Sequence, residues 1–471
     1  MSTSVISSQF FQLLQTLKEE ELKEFKKTLK SDEALKVYQH IVKFKAIALK
    51  KKKLEKKEVF EAVFKKDYDS KGQKTINYKL SELKIKLEDF LVQQELNNQA
   101  FTKKYLLLTN LGRRNAITSF NKKMEEARNM LENDKTISNW KPLNKFKINQ
   151  LDYYGIEIEK QLTSNLSIQN AMHYLDTFYF ETKLKISCEI LSREKLIREK
   201  KDIFLLEELI KAAKENSFSE SAFLGLYILA YELIIYERPK TYYLLKKLIE
   251  EKSLLLKKED KYILWSYLLN FAIQNINKGQ DIFIQEAFQL YNYAIENGLL
   301  MFNGLLTSIR FLNIIEIACN VQQAEWARKF LKTNECYLEI NDKEDVTLLG
   351  EARILFEERK FSEVIDNINL GHFNSTIYDI RARILALRAF YEIDKENTPF
   401  LLSTTKAIYT FLKRKEELNN TITKGPFIFL KYFKKLVKKK TTKKILLEEF
   451  EPLSFNFYKK WFIEKISELK D

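Results

Sequence analysis

Apolar residues recur at three- and four-residue steps along most of the chain, with charge between them, and alternation at every second position is nowhere sustained. That period puts side chains on one stripe of an α-helix, so the pattern predicts helix after helix and no sheet. Near the start, Phe10, Leu14 and Leu17, followed by Leu22, Phe25 and Leu29, fit one bent helix or two short ones equally well. Ser31 and Asp32 can accept the free N–H groups opening the next helix, whose stripe is Leu35, Tyr38 and Val42, with Leu49 at its far end. That helix runs into the lysine-rich KKKKLEKK, and a shorter one follows around Val59, Phe60, Val63 and Phe64. Asp69, Ser70 and Gly72 are turn formers, and Thr75 precedes a long helix with Ile76, Leu80, Leu83, Leu87 and Phe90 along one side. These helices make an N-terminal bundle over residues 1–105.

The segment from Lys57 to Asn97 could be drawn as a helix-turn-helix, but the apolar stripe of its second helix runs throughout, which predicts a packed helix without a groove-reading face. LLQTLKEEELKEFKKTLK resembles the first helices of death-fold domains, a likeness confined to one charge-rich amphipathic stretch of a kind many helices share. Polar and helix-ending residues gather at Asn98, Gln99, Asn110, Gly112, Asn133, Asp134 and Pro142, so residues 106–219 read as a helical connecting region. Its later helices are rich in Tyr and Phe, among them Tyr153, Tyr174 and Phe178. Aromatic residues at such spacing could stack on bases, although the seam between packed helices is their commoner use.

From residue 220 to 410 a helix pair recurs, most clearly in LLGEARILFEERKFSEVIDNINLGHFNSTIYDIRARILALRAFYE from Leu348 to Glu392. Ala352 and Leu355 share a face of the first helix, Val364 and Ile368 a face of the second, and Phe361 wedges the turn. Ile315, Ala318, Ala324, Ala327 and Leu331 repeat this arrangement upstream, and Ile284, Ala287 and Tyr291 repeat it more weakly. The pairing of a small residue on the first helix with an aromatic opening the second resembles the tetratricopeptide repeat. The equivalent positions Ile284, Ala324 and Phe361 stand 40 and 37 residues apart, longer than that family's repeat of about 34 and irregular. The resemblance implies a degenerate α-solenoid, whose stacked pairs would expose a concave face to a protein or peptide. Past Pro399 the signal fades into residues 411–471, where Gly425-Pro426 predicts a break. There Phe427, Leu430, Phe433 and Val437 oppose Lys431, Lys434, Lys435 and Lys438, as expected of basic capping helices. The expected fold class is therefore all-α, an N-terminal helical bundle followed by a tetratricopeptide-like α-solenoid.

Composition agrees with this reading, with 10 glycines and 5 prolines in 471 residues and 45% hydrophobic against 31% charged residues. Charge changes the picture through its distribution. Residues 1–110 carry 23 lysines against 15 acids, residues 111–410 carry 41 basic against 42 acidic, and residues 411–471 carry 16 against 8. An even compositional bias would not segregate in this way, so both ends become candidates for an anionic partner. The residues concerned are Lys50, Lys51, Lys52, Lys53, Lys56 and Lys57 at one end and Lys434, Lys435, Lys438, Lys439 and Lys440 at the other. A solvated helix end that only confers solubility explains them equally simply.

Catalytic and cofactor chemistry has no signature here. Gly298 and Gly304 form no phosphate-cradling loop. His40, His173 and His372 have no ligand at metal spacing, and none has an Arg four to six residues before it, as all-helical HEPN ribonucleases do. Cys188, Cys319 and Cys336 are odd in number and lie on helical segments, which suits reduced, buried thiols. The opening residues lack the basic region of a signal peptide, and the run from Ser221 to Tyr231 is too short to span a bilayer, so a cytoplasmic protein is expected. No cofactor is expected. The expected function is a non-enzymatic scaffold or adaptor for a protein or peptide partner, and the alternative is a nucleic-acid-associated protein whose lysine-rich ends contact phosphates.

Overall fold

The two clusters at the start of the chain are separate helices, α1 (Gln9–Thr16) and α2 (Glu19–Thr28), parted where Leu17 and Lys18 turn extended. The Ser8 hydroxyl accepts the Phe11 N–H at 3.3 Å, and the Glu21 carboxylate accepts the Lys18 N–H at 2.7 Å, so each helix start has an acceptor of its own. The protein is seen in a computed structural model that describes residues 4–51, 53–155, 166–197, 202–215, 221–301, 304–373, 375–414, 420–439, 442–450 and 458–469. Among these residues it is all-α, with 23 helices and no strands. None of the described helices is long and apolar enough to cross a membrane.

The chain divides into two compact units, the first comprising residues 1–134 and 143–174 and the second residues 135–142 and 175–471. In the first, α3 (Asp32–Lys51), α4 (Lys56–Phe64) and α5 (Ser70–Asn98) follow α1 and α2, and α5 packs against all four of its predecessors. Asp69 caps α5 by accepting the Gly72 N–H at 2.6 Å, so the helix begins five residues before Thr75 and takes in the expected turn. An aspartate acceptor ahead of the turn formers is enough to extend the helix through them. The buried stripe of α3 is Ala34, Val37, Tyr38 and Ile41, with Leu35 and Val42 at its margins. Phe25 lies at the centre of this core, 5.3 Å from the Tyr38 ring and 5.5 Å from the Phe90 ring. A second small core joins α6 (Ala100–Arg113), α7 (Ile117–Asn133) and α8 (Trp140–Tyr154) through Leu108, Phe120, Met124, Leu131 and Ile148.

Beyond α9 (Leu166–Ile197) and α10 (Leu206–Glu215), the second unit proceeds in helix pairs: α11 (Ala222–Tyr236) with α12 (Pro239–Glu251), and α13 (Lys258–Asn277) with α14 (Ile282–Glu296). Next come α15 (Ser308–Asn320) with α16 (Ala324–Asn334), and α17 (Lys343–Glu357) with α18 (Phe361–Leu370). The last pair is α19 (Thr376–Ile393) with α20 (Thr398–Arg414). From α11 to α21 (Asn420–Lys438) each helix packs on the next, and α15, α17 and α19 also pack side by side. The unit ends with α22 (Lys443–Phe450) and α23 (Lys459–Ser467).

One continuous core runs through the second unit. Ala318, Ala327, Ala352 and Val364 are fully buried in it, and Phe361 opens α18 with its ring 5.3 Å from Phe356. Gly350 lies where α15 and α17 approach closely; a Cβ there would come within 2.8 Å of Ile315 Cδ1. The break expected at Gly425-Pro426 is absent, because α21 continues through Pro426. Pro426 removes one helical N–H, and burial of Phe429, Leu430, Phe433 and Leu436 on the same helix offsets that loss.

Candidate functional site

The lysines singled out by sequence divide between the two units. In the first unit Lys53 and Lys57 are exposed, Lys57 standing 3.8 Å from Glu61, while Lys56 is buried. Lys52 lies outside the described residues, as do the side chains of Lys50 and Lys51 in the last turn of α3. In the second unit Lys434 and Lys438 are exposed one turn apart on α21. Lys435 pairs with Glu449 and Lys439 with Glu396, and Lys440 is outside the described residues. His40 is half-buried, and burial together with nearby Lys43 lowers its pKa. His173 is exposed, its ring 5.2 Å from Tyr174, and His372 is also exposed. Cys188 and Cys319 are buried thiols as expected, whereas Cys336 is exposed, because its short 3-10 turn follows α16 at the surface. Among the described residues no group of three His, Cys, Asp or Glu side chains could hold a metal ion.

The most distinctive chemistry lies in a recess of about 310 Å³ bounded by α15, α17 and α19, with Pro426 and Tyr458 contributing to its wall. Helical spacing makes it. Ile309, Leu312, Asn313 and Glu316 follow the three- and four-residue steps of α15, and Ile377, Ile380, Arg381 and Arg388 share one face of α19. Arg353 enters from α17. The walls are mostly aliphatic, and the ionisable groups are three arginines against the single carboxylate of Glu316, with the Tyr458 phenol beside them.

These arginines differ in what holds them. Arg353, 7% exposed, donates from Nε to Glu316 at 3.0 Å and from a terminal nitrogen to Glu357 at 3.2 Å. Burial alone would lower its pKa, but the two glutamates raise it. Glu316 shows the converse: burial would raise its pKa, and the Arg353 and Arg388 guanidinium groups hold it below the usual carboxylate range. Half-buried Arg381 donates to Asn313 at 3.1 Å. Arg388 is only 3% exposed and its Nε has no hydrogen-bond partner among the described residues. Phe356, Trp461 and Tyr458 surround its guanidinium at 4.2, 5.2 and 5.4 Å from their ring centres. Burial, and then Arg353, lower its pKa to about 10, which still leaves it charged at neutral pH.

A second, more polar recess of about 380 Å³ shares Arg353 and Arg388 and adds Arg359, Lys460 and Glu464. The two arginines thus stand between two openings of one charged cluster. Chemically the cluster can receive an anion through guanidinium N–H groups. Among its described residues no nucleophile and base stand in hydrogen-bond contact, and none form a set of metal ligands.

The charge segregation in the sequence singles out the lysine-rich ends and not this cluster. A signal was present in the sequence: of only 14 arginines in the chain, seven fall between Arg310 and Arg388. Arginine is the residue suited to buried pairs and bidentate recognition. Arg381 and Arg388, seven residues apart on an otherwise apolar helix face, were the sharper indication. No family model matches the chain, and no curated protein and no solved structure matches it either.

Proposed function

We propose that the chain is a non-enzymatic scaffold or adaptor of the cytoplasm, and that its second unit holds a protein or peptide segment along the face shared by α15, α17 and α19. The reading treats the successive helix pairs as a degenerate, tetratricopeptide-like solenoid. The observation that carries it is the recess itself, where first helices of three successive pairs leave aliphatic walls and arginines open on one side. Packed helices ordinarily close such a seam with complementary side chains. A groove with apolar walls and a few fixed polar groups suits an extended or helical peptide.

Selection of a displayed random-peptide library on the immobilised full-length protein tests this. Enriched peptides are expected to bind the protein in solution and to bind Ile309→Glu at least tenfold more weakly. Ile309 lines the recess yet is 49% exposed, so the substitution alters the groove without burying a charge. Tyr78→Glu, at an exposed position of the first unit, should leave binding unchanged. Absence of enrichment, or equal binding to Ile309→Glu, would sink the reading.

A further inference from the structure

Arg388 sets a physical problem that its own surroundings leave open. Taking a guanidinium out of water is costly unless an anion and hydrogen-bond acceptors replace the solvent. Phe356, Trp461 and Tyr458 provide ring contacts, which satisfy the charge through the π-faces. The rings themselves supply no strong acceptor for the N–H groups, which radiate in the guanidinium plane. No carboxylate of the described residues forms an ion pair with Arg388, and its Nε is buried without an acceptor. Lys465, equally buried on α23, is met by Glu392, Glu464 and Glu468 at 3.0, 3.0 and 2.7 Å. The fold can therefore answer a buried cation with its own glutamates, and among the described residues it does not do so at Arg388.

We propose that the recess is a binding site for a carboxylate carried on an aliphatic body, received by the guanidinium fork of Arg388. The donor count argues for this chemistry. Arg353 already commits its Nε and one terminal nitrogen to glutamates, and Arg381 commits a nitrogen to Asn313. One wholly uncommitted fork matches one carboxylate bidentately. A dianionic phosphate would sit in the same recess as Glu316, which the neighbouring arginines keep ionised. The aliphatic walls of Ile309, Leu312, Ile377 and Ile380 define the remainder of the ligand as apolar. The carboxylate could belong to a peptide or to a free aliphatic acid; the peptide source rests on the function proposed above, and the site chemistry does not.

The test is calorimetric titration of the full-length protein with four probes: octanoate, octanamide, acetyl-Leu-Ile-Leu with a free carboxyl end, and the same peptide as its amide. Inorganic phosphate is a fifth arm. Octanoate or the peptide acid is expected to bind at least tenfold more tightly than its amide. Arg388→Met should abolish that difference, Arg388→Lys should retain part of it, and Arg238→Met, at an exposed position that lines neither recess, should leave it intact. Removing an unpaired buried charge for an apolar side chain of similar length is not expected to lower the melting temperature. If Arg388→Met fails to fold, Arg388→Lys and Arg381→Met carry the test, each expected to weaken acid binding. Equal binding of acids and amides, acid binding indifferent to position 388, or phosphate bound more tightly than either acid would overturn the site. Binding of octanoate without the peptide acid would uphold the site and overturn the peptide-holding reading.

Discussion

The two units solve the problem of charge in opposite ways. In the first, the core from Val5 to Phe90 is apolar, and the charged side chains buried within residues 1–134, Lys56 and Lys79, remain 9% exposed at its edge. Lys79 reaches Glu33 at 2.9 Å and Glu82 at 3.2 Å. In the second unit charge goes inside: Glu181, Asp260, Arg353, Arg388 and Lys465 are all buried. Most of these have answers. Asp260 receives Lys185 at 2.6 Å and Tyr227 at 2.8 Å, Arg353 has Glu316, and Lys465 has three glutamates. The difference teaches where to look for function. A bundle can tolerate almost any charges on its outside, but an interior charge is costly, and one left without a partner is a place where something from outside can gain affinity.

If the contrast between an apolar and a charged interior is sound, the two cores should fail differently. The largest effect is expected in the first unit, where Phe25→Ala empties the contact with Tyr38 and Phe90 and should cost about 3–5 kcal/mol. Urea titration checks this, and the loss should be the same at pH 5 and pH 8 because no ionisable side chain is removed. A strongly pH-dependent loss would break the contrast.

The second unit should show the opposite behaviour at Glu181. Burial, reinforced by Asp260 and opposed by the Ser221 hydroxyl, raises its pKa from 4.5 to about 7. An acid whose folded pKa lies above its unfolded value stabilises least when ionised. Its contribution is therefore fully favourable below about 4.5, is lost as pH rises towards about 7, and is flat beyond. Glu181→Gln should stabilise the protein at pH 8 by up to about 3 kcal/mol and change little at pH 4.5. Thermal melts at the two pH values measure it, and equal shifts at both would mean that Glu181 titrates normally.

A smaller effect, on the order of 1–3 kcal/mol, is expected from Ala352→Trp, which overpacks the fully buried face of α17. This loss should again be independent of pH, sharpening the distinction between misfit of volume and misfit of charge. A melting temperature equal to wild type would show that α17 does not bury Ala352 against its neighbours.

The all-α class and the position of most helices were legible because the three- and four-residue period is local: Leu83, Leu87 and Phe90 must lie on one side of any helix they share. The helix start at Ser31, one of two adjacent acceptors, was legible, and the start at Asp69 less so, because that residue and its neighbours also read as a turn. The continuation of α21 through Pro426 could not be read, since it depends on how much apolar surface that helix buries against residues distant in sequence. The recess was hidden for the same reason. Sequence by itself determined that Arg353, Arg381 and Arg388 sit on helices among apolar residues. Only the tertiary structure decided that Arg353 meets Glu316, that Arg381 meets Asn313, and that Arg388 meets aromatic rings and forms no ion pair with an acid of the described residues. Local periodicity fixes which face of a helix a side chain occupies, whereas the partner across that face comes from residues tens of positions away, and for a buried charge the partner sets the energy.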